Sequence, residues 1–358
     1  MNPFPPIPVA ILGATGSVGQ RFVQLLDRHP WFQVAVLTGS ARTAGGTYGA
    51  SCRWILDTPM PEWTARMPVL PSEPENLNVP IAFSALPTSE ARGLEAACAQ
   101  RGIWVFSNAS AYRREPDVPI LMPEVNLAHA GILSVQQARR GWPGAIVTNS
   151  NCTSAGLTVV LKALDDAFGV RRVFVVSMQA LSGAGYPGVS SLDILDNVIP
   201  NIAGEEEKVE WEPRKMLGRF DGVQIRLADF GISAHTNRVA VRDGHTLSLS
   251  VELGQRTSPR VVAEALGNYL PPEVARELPF TPRPVIRVLE SPDRPQPRLD
   301  REIGGGMSTV VGNLRADPLF DIKMTVLSHN TMRGAAGGSI YNAEALLNMG
   351  AIPGFSPP

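Results

Sequence analysis

Cys152 is the residue whose surroundings point most directly to chemistry. It lies in the run VTNSNCTSAG (147–156), where an apolar segment ends and a helical pattern begins. Asn151 is a favourable N-cap, and apolar residues follow it at helical spacing: Leu157, Val160, Leu161 and Leu164. Cys152 is therefore predicted at the first helical position, where the helix dipole and unpaired N–H groups favour a thiolate and can hold an oxyanion. The alternative is a buried, inert cysteine, which is our interpretation of Cys98 in AACAQ.

A thiolate nucleophile needs a proton partner, and the chain has five histidines. His245 follows the turn-forming pair Asp243-Gly244, within the segment RVAVRDGHTLSLSVEL. A two-residue hairpin at this pair would place Arg238, Arg242 and His245 on one face. Cationic side chains beside an imidazole would form an anion-binding catalytic wall, although a solvated edge strand would produce the same pattern.

Three glycines in GATGSVG, Gly13, Gly16 and Gly19, have a spacing that suits dinucleotide binding. They lie between a predicted strand and a predicted helix, where a glycine-rich turn lets the backbone approach a pyrophosphate. Tight strand-to-helix turns also favour glycine, so the prediction depends on the flanking elements.

The loop after the second predicted strand, LTGSARTAGG, bears on which dinucleotide is bound. NAD-specific folds usually place Asp or Glu there to hold the ribose 2′-hydroxyl. This loop has Ser40 and Arg42 and no acidic residue. A hydroxyl and a guanidinium suit a 2′-phosphate, so NADP is predicted; the alternative is an ordinary solvated loop.

The elements that must position these residues alternate between strand and helix in the first half of the chain. Strands are predicted at 9–12, 32–37, 80–86, 103–106 and 145–148. This rhythm is typical of a parallel sheet with right-handed crossovers. We predict an α/β protein with a Rossmann-type dinucleotide-binding domain at 1–150 and an α+β catalytic domain at 151–329. The C-terminal segment 330–358, helical in pattern to 349, is expected to complete the first domain.

Composition narrows the class of protein. The 358 residues carry a net charge of −1 without a basic block, so no nucleic-acid partner is expected. No apolar run approaches the roughly 18 residues that span a bilayer, and the N-terminus lacks a basic region, so we expect no membrane association. Three scattered cysteines predict neither a disulfide framework nor a metal site. They indicate a reducing compartment, most simply the cytoplasm.

Nine motifs follow one another along nearly the whole chain: GATGSVGQRF, SNASAYR, PEVN, NSNCTS, SGAGYPG, GEEEK, RVAVRDGH, PQPRLDR and HNTMRGAAGGSIYNAE. Together they resemble the aspartate-semialdehyde dehydrogenase family, in the branch typical of archaea and fungi. The resemblance implies reduction of L-aspartyl 4-phosphate by NADPH to L-aspartate 4-semialdehyde and phosphate, through a cysteine acyl-thioester. It also implies a step toward lysine, threonine and methionine, and a homodimer or homotetramer formed through the second domain.

The resemblance assigns roles to residues of this chain and implies no metal. Cys152 matches the nucleophile and His245 matches the general acid/base. Gln179 matches the glutamine that orients the acyl group. Arg113 and Lys208 match positions that bind the phosphate of the substrate. Glu205 matches the position that binds its amino group, and Arg238 matches the position that binds its α-carboxylate. Positions that contact NADP match a larger set: Gly13, Thr15, Gly16, Ser17, Val18, Gly19, Ser40, Arg42, Ser84, Ser182, Gly183 and Asn330.

Two motifs of this chain depart from the family pattern. It reads NSNCTS where relatives often read NPNCST, and SAYR where SAHR is common, and both changes leave the reactive residues in place. Glu206 and Glu207 are adjacent candidates for the role of Glu205. Glu205 and Lys208 can project from one helical face, and the alternative for them is an ordinary surface ion pair.

Other activities fit parts of the pattern. Reduction of malonyl-CoA is one, because some archaeal enzymes of this branch act on that substrate, which lacks the amino group that Glu205 would contact. N-acetyl-glutamyl-phosphate reductase shares the plan and glyceraldehyde-3-phosphate dehydrogenase shares a Cys-His pair, but a different sequence is expected around their nucleophile. A cysteine hydrolase would leave the glycine turn without a purpose. A catalytically dead NADP-binding regulator would not need the full set of Cys152, Gln179, Arg238 and His245.

Overall fold

The computed structural model describes residues 5–355 as two large sheets with helices around them and one two-stranded ribbon. The strands are β1 (Ile7–Leu12), β2 (Phe32–Gly39), β3 (Val69–Pro71), β4 (Ile81–Ser84), β5 (Trp104–Ser107), β6 (Ala145–Thr148), β7 (Val170–Gln179), β8 (Ile199–Pro200), β9 (Arg219–Phe220), β10 (Ile225–Arg226), β11 (Gly231–Arg238), β12 (His245–Leu253), β13 (Ile286–Leu289), β14 (Thr309–Ala316) and β15 (Ile322–Ser328). The α-helices are α1 (Ser17–Leu25), α2 (Tyr48–Ser51), α3 (Glu62–Ala65), α4 (Thr88–Gln100), α5 (Pro123–Asn126), α6 (Ile132–Arg140), α7 (Cys152–Phe168), α8 (Ser191–Ile194), α9 (Glu205–Met216), α10 (Pro259–Gly267), α11 (Pro297–Asp300) and α12 (Gly337–Asn348).

The first sheet is parallel, with the strand order β3-β2-β1-β4-β5-β6. Val9 in β1 lies opposite Ile81 in β4. Strands β4, β5 and β6 are buried along their whole length, as expected where helices cover both faces of a parallel sheet. The strand order and the turn from β1 into α1 are those of a Rossmann-type fold. The predicted α/β class is therefore confirmed.

The second sheet is mixed, with the order β13-β14-β15-β12-β7-β11-β8. Strand β11 pairs in parallel with one edge of β7, and β12 pairs antiparallel with the other edge. The predicted hairpin at Asp243-Gly244 is wrong, because β7 lies between the two strands and 239–244 crosses over its end. The crossing is tied to the segment after β7 by a hydrogen bond of 2.7 Å from Leu181 N to Val241 O.

This crossing brings three of the predicted site residues to one end of the mixed sheet. Arg238, the last residue of β11, is opposite Gln179, the last residue of β7. His245 begins β12 on the other side of β7. Arg242 does not join them, since its guanidinium forms an exposed ion pair with Asp57. The predicted cationic wall therefore contains Arg238 but not Arg242.

The C-terminal helix packs on the parallel sheet. Ile340 and Leu347 of α12 share an apolar core with Phe83 and Phe106 of β4 and β5. The predicted helical tail does not begin as a regular helix: Met332–Ala336 forms a π-helical turn before α12 starts. Such turns are frequent at functional sites.

The three cysteines are free thiols. Burial raises the pKa of Cys98 to about 12, which agrees with its interpretation as an inert core residue. Across residues 5–355, no helix has the length and apolar composition needed to cross a bilayer. In the same range, no three His, Cys, Asp or Glu side chains are grouped so that they could hold a metal ion.

Candidate active site

Cys152 is the first residue of α7, as the sequence predicts. The chain leaves β6 and reaches the helix through 149–151. The side-chain Oδ1 of Asn151 accepts hydrogen bonds from the backbone N–H groups of Thr153 at 2.9 Å and Ser154 at 3.2 Å. Asn151 therefore satisfies two donors at the helix start and fixes the position from which the cysteine projects.

The π-helical turn Met332–Ala336 packs directly against Cys152. A Cβ atom on Gly334 would lie 2.9 Å from both the Cα and the Cβ of Cys152. Non-bonded carbons do not approach that closely without displacement, so glycine is required at this contact. The HNTMRGAAGG motif thus provides the space that the backbone of Cys152 needs.

His245 is the partner of the cysteine sulfur. Its Nε2 lies 3.2 Å from the Sγ of Cys152. Its Nδ1 accepts a hydrogen bond of 3.0 Å from the backbone N–H of Ala180. Because Nδ1 acts as an acceptor, the neutral ring carries its proton on Nε2, directed at the sulfur. The residue is only 1% exposed.

The surrounding groups keep the Cys152–His245 pair neutral. Burial, followed by the carboxylate of Glu205, raises the pKa of Cys152 to about 12, although Arg113 and Arg238 act in the opposite direction. Burial, followed by the charge of Arg238, lowers the pKa of His245 to about 3. The expectation that the helix start favours a thiolate stays a prediction. Burial and the carboxylate of Glu205 oppose the effect of the helix dipole on the sulfur.

Gln179, Arg238 and Gly183 converge beside His245. Gln179 is buried at the end of β7. The Nη1 of Arg238 donates a hydrogen bond of 2.7 Å to the carbonyl of Ala180. A Cβ atom on Gly183 would lie 2.9 Å from Arg238 Nη1 and 3.0 Å from His245 Cε1. Residues predicted for catalysis, substrate binding and cofactor binding therefore meet at this point.

Helix α9 begins with three glutamates whose side chains point in different directions. Glu205 accepts hydrogen bonds from Asn151 Nδ2 at 2.8 Å and from Lys208 Nζ at 2.7 Å. Glu206 instead accepts from the backbone of β11, and Glu207 forms an exposed ion pair. The Glu205 side chain is 12% exposed, so its pair with Lys208 is not an ordinary surface pair. Burial opposes its charge, but hydrogen bonds from Lys208 and Asn151 hold the pKa of Glu205 below its usual range.

Arg113 is buried behind the start of α7. Its Nη1 donates a hydrogen bond of 2.9 Å to Glu212 Oε1. Its Nη2 donates to the carbonyls of Asn108 at 2.8 Å and Ser150 at 3.2 Å. Its Nε finds no hydrogen-bond partner among residues 5–355. This donor is itself buried, so it stays unsatisfied in the described residues.

The turn after β1 has the features of a pyrophosphate site. Gly13 has a φ of +74°, and Gly16 precedes α1 without a side-chain cap. A Cβ atom on Gly19 would lie 2.2 Å from the carbonyl oxygen of Gly13, so the helix can pack on the turn only with glycine there. The first N–H groups of α1, around Ser17 and Val18, can therefore serve an anion. The residues present fit a dinucleotide.

A cavity of about 780 Å³ lies at the ends of β2 and β3, where an adenosine would follow the pyrophosphate. Ser40 lines this cavity, and Arg42 is exposed in the same loop. Glu73 and Glu90 also line it, but they follow β3 and begin α4. Neither of them occupies the position after β2 that marks NAD-specific folds.

Of the remaining predicted cofactor residues, Ser182 and Asn330 lie toward the mixed sheet, whereas Ser84 and Thr15 lie in the first domain. The Nδ2 of Asn330 donates a hydrogen bond of 2.7 Å to Ser182 Oγ. Ser182 lines a cavity of about 510 Å³ together with Ser17 of the glycine turn. Ser84, by contrast, is fully buried at the end of β4, so its side chain lies beneath the surface rather than in this cavity. Thr15 stands in the glycine turn, where its carbonyl accepts from Gln20 Nε2 at 3.0 Å.

Sequence reasoning missed two groups at this site. The backbone N–H of Ala180 holds His245, and no property of an alanine side chain could have indicated it. Glu212 contacts Arg113 with one oxygen and accepts from Asn151 N at 2.5 Å with the other. Its position seven residues after Glu205, on the same helical face, was the available signal.

Comparisons with known proteins give the same arrangement along the chain. The family model of the semialdehyde dehydrogenase NAD binding domain matches residues 8–132, and that of the semialdehyde dehydrogenase dimerisation domain matches 161–333. The aspartate-semialdehyde dehydrogenase of Archaeoglobus fulgidus is 50% identical over 339 residues, which cover 95% of this chain and 97% of that protein. That of Schizosaccharomyces pombe is 46% identical, over 96% of this chain and 99% of that protein. The crystal structure of the Candida albicans enzyme with NADP is 40% identical, with a TM-score of 0.87 over 96% of this chain and 98% of that chain.

The two matched domains follow one another along the chain in the same order as the parallel and the mixed sheet. Together they define the class of protein as a semialdehyde dehydrogenase. Full-length relatives at 40 to 50% identity narrow this class. The chain belongs to the aspartate-semialdehyde dehydrogenase family.

Proposed function

We propose that this protein reduces L-aspartyl 4-phosphate to L-aspartate 4-semialdehyde and phosphate with NADPH, through an acyl-thioester on Cys152. This is the reaction of lysine, threonine and methionine biosynthesis. The observation that carries the proposal is the 3.2 Å contact between Cys152 Sγ and His245 Nε2 at the start of a helix. The charged groups around this contact match the groups of that substrate.

Each charged group of the substrate has a partner of opposite charge at the site. The guanidinium of Arg113 and the ammonium of Lys208 suit the phosphate by their charge. Arg238, beside His245, suits the α-carboxylate. Glu205 suits the substrate's ammonium, because its carboxylate is ionised and faces the start of α7.

Acyl transfer requires the sulfur as a thiolate. The thiolate bonds to the acyl carbon and the carbon–oxygen bond to phosphate breaks. The phosphate leaves with the electron pair and takes up the proton that the thiol released, so it departs as hydrogen phosphate. A substrate ammonium beside Glu205 would offset the carboxylate charge that raises the pKa of Cys152. The substrate therefore promotes formation of the thiolate that attacks it.

Bound NADPH supplies the hydride that reduces the thioester carbon. The Nε2–H of His245 is placed to donate a hydrogen bond to the oxyanion that develops, and the sulfur recovers its electron pair when the C–S bond breaks. The Nδ1 of His245 stays bound to Ala180 throughout. This donor role differs from the general acid/base role that the resemblance implies.

Reduction of malonyl-CoA by the same Cys–His pair is the alternative activity. The relatives at 40 to 50% identity do not favour it, since they are named aspartate-semialdehyde dehydrogenases. Glu205 also argues against it, because malonyl-CoA carries no ammonium that would use this half-buried carboxylate.

We further propose that 1–150 with 330–358 forms the NADP-binding domain, and that 151–329 forms the catalytic and dimerisation domain. The parallel sheet within 7–148 and the mixed sheet within 170–328 support this division. Residues 1–4 and 356–358 lie outside the described residues.

The match to a dimerisation domain supports a homodimer, of which a homotetramer would be a further assembly. The free cysteines support a reducing compartment such as the cytoplasm.

An assay of phosphate-dependent semialdehyde oxidation, followed by nicotinamide absorbance, tests the proposed reaction. Turnover should require phosphate, prefer NADP over NAD, and disappear in Cys152→Ala. Malonyl-CoA with NADPH should give no comparable turnover. Mass spectrometry of the enzyme mixed with aspartyl phosphate alone should show an acyl adduct on Cys152. Normal turnover by Cys152→Ala would falsify the mechanism.

A further inference from the structure

One face of α9 carries two buried ionisable residues that the proposed reaction does not use. Glu205 and Lys208 reach toward the nucleophile, and Glu212 and Lys215 follow them at helical spacing on the same face. Glu212 is 1% exposed and Lys215 is 4% exposed. Charged groups are costly to bury unless hydrogen-bonding partners compensate them, so their partners indicate their purpose.

Glu212 joins two parts of the site through separate oxygens. Its Oε1 accepts a hydrogen bond of 2.9 Å from Arg113 Nη1, and its Oε2 accepts one of 2.5 Å from the backbone N–H of Asn151. Asn151 is the N-cap immediately before Cys152. The same carboxylate therefore sets the position of the phosphate-binding arginine and that of the helix start that carries the sulfur.

Lys215 holds the same arginine from its backbone side. Its Nζ donates hydrogen bonds to the carbonyls of Arg113 at 2.7 Å, Glu115 at 2.9 Å and Val118 at 2.8 Å. These three bonds use every donor of the ammonium group. Helix α9 thus holds the loop after β5 both by the guanidinium and by the main chain.

We propose that Glu212 is a positioning residue for acyl transfer, which holds Arg113 and the start of the Cys152 helix in one fixed arrangement. The proposal rests on the proposed function, in which Arg113 binds the phosphate. The competing account is that Glu212 only neutralises the charge of Arg113. The two accounts predict opposite signs: loss of a neutralising carboxylate would tighten phosphate binding, whereas loss of a positioning carboxylate would weaken it.

Two variants separate these accounts in the phosphate-dependent oxidation of semialdehyde. Glu212→Gln keeps the shape of the side chain but turns one acceptor into a donor, which faces either Arg113 or the Asn151 N–H. Glu212→Asp keeps the charge but is too short to reach both partners. We expect both variants to raise the KM for phosphate and to lower kcat by about ten- to hundredfold. The KM for semialdehyde and the Kd for NADP should stay within about twofold.

Glu207→Gln is the matched control, because Glu207 lies on the same helix in an exposed ion pair with Arg114. It should leave all of these constants unchanged. An unchanged or lower KM for phosphate in the Glu212 variants would overturn the proposal, whatever their thermal stability. If Glu212→Gln does not fold, Glu212→Asp decides alone. Failure of the proposed function is distinguishable, since the wild-type enzyme would then show no phosphate-dependent turnover in the same assay.

Discussion

The Nδ1 of His245 accepts a hydrogen bond from the backbone N–H of Ala180 at 3.0 Å, while Nε2 faces the sulfur of Cys152. A proton on Nδ1 would face another donor, so this contact opposes an imidazolium ring. Burial acts in the same direction and lowers the pKa of His245 to about 3. His245 is therefore suited to donate a hydrogen bond through Nε2 rather than to accept a proton there.

His245→Gln should retain more activity than His245→Ala, because a glutamine amide N–H can reach the region of Nε2 without titrating. We expect kcat to fall by about 10² to 10⁴-fold in the alanine variant and to recover by about tenfold in the glutamine variant. Steady-state rates between about pH 6 and 9 measure this. A glutamine variant no more active than the alanine variant would favour a general acid/base role instead.

Glu205→Gln should make Cys152 more reactive toward alkylation. The Glu205 carboxylate is, after burial, the main cause of the raised pKa of Cys152, so its removal lowers that pKa and increases the thiolate fraction. We expect alkylation by iodoacetamide near pH 8 to be about three- to tenfold faster, while turnover falls because the substrate ammonium loses its partner. Intact-mass measurements follow the adduct, with Glu207→Gln as the control. Equal rates in wild type and Glu205→Gln would contradict the assigned cause.

Gly334→Ala should displace the nucleophile, since the added methyl group would lie 2.9 Å from the Cα and Cβ of Cys152. We expect kcat to fall by about 10²-fold or more. Gly93→Ala is the control, because a Cβ there meets no atom within 4 Å. That variant should be fully active and stabilised by up to about 1 kcal/mol, as helix propensity predicts. The measurements are kcat and the thermal unfolding temperature of both variants. A fully active Gly334→Ala enzyme would show that the π-helical turn Met332–Ala336 can move away from Cys152.

Arg42→Ala should reduce the preference for NADP over NAD. Arg42 is exposed in the loop after β2, where a 2′-phosphate would lie. Loss of a charge-assisted hydrogen bond should lower kcat/KM with NADP by about ten- to hundredfold and leave kcat/KM with NAD within about twofold. The ratio of the two values is the measurement, and an unchanged ratio would exclude Arg42 from 2′-phosphate binding.

Burial of His245 should contribute a loss of stability as the pH falls below about 6.5. Burial lowers the pKa of His245 to about 3, from an ordinary value of 6.5. Between these values the unfolded chain binds a proton at this residue that the folded protein does not bind, so protonation of His245 favours unfolding. Burial also raises the pKa values of Glu95 and Glu344, and these carboxyls act in the opposite direction over the same range. The contribution of His245 is therefore the difference between wild type and His245→Gln, whose free energy of unfolding should decline less steeply, by up to about 1.4 kcal/mol per pH unit. His235→Asn, at an exposed residue, should follow the wild-type curve in denaturant titrations at each pH.

Local signals in the sequence were enough to place Cys152 at a helix start and to find the glycine turn. Asn151 as an N-cap and the apolar periodicity after Cys152 concern residues within a few positions of each other, and the structure has both features. The glycine turn is local in the same sense, because Gly19 packs on Gly13 across one helical turn.

Longer-range features were not accessible in the same way. The turn-forming pair Asp243-Gly244 predicted a hairpin, but pairing of both strands with β7 depends on the whole sheet. The helix start at Cys152 is visible in the sequence, whereas the burial of its sulfur and the approach of Glu205, which oppose ionisation, are not. The contact of Glu212 with Asn151 likewise joins segments that only the tertiary fold brings together.

The position of β7 between β11 and β12 has a consequence for how the enzyme becomes active. Strands β11 and β12 do not pair with each other, since each pairs with a different edge of β7, which precedes both of them in the sequence. Pairing between distant segments is slow compared with local pairing. Acyl transfer therefore requires both of these distant pairings, because Arg238 ends β11 and His245 begins β12.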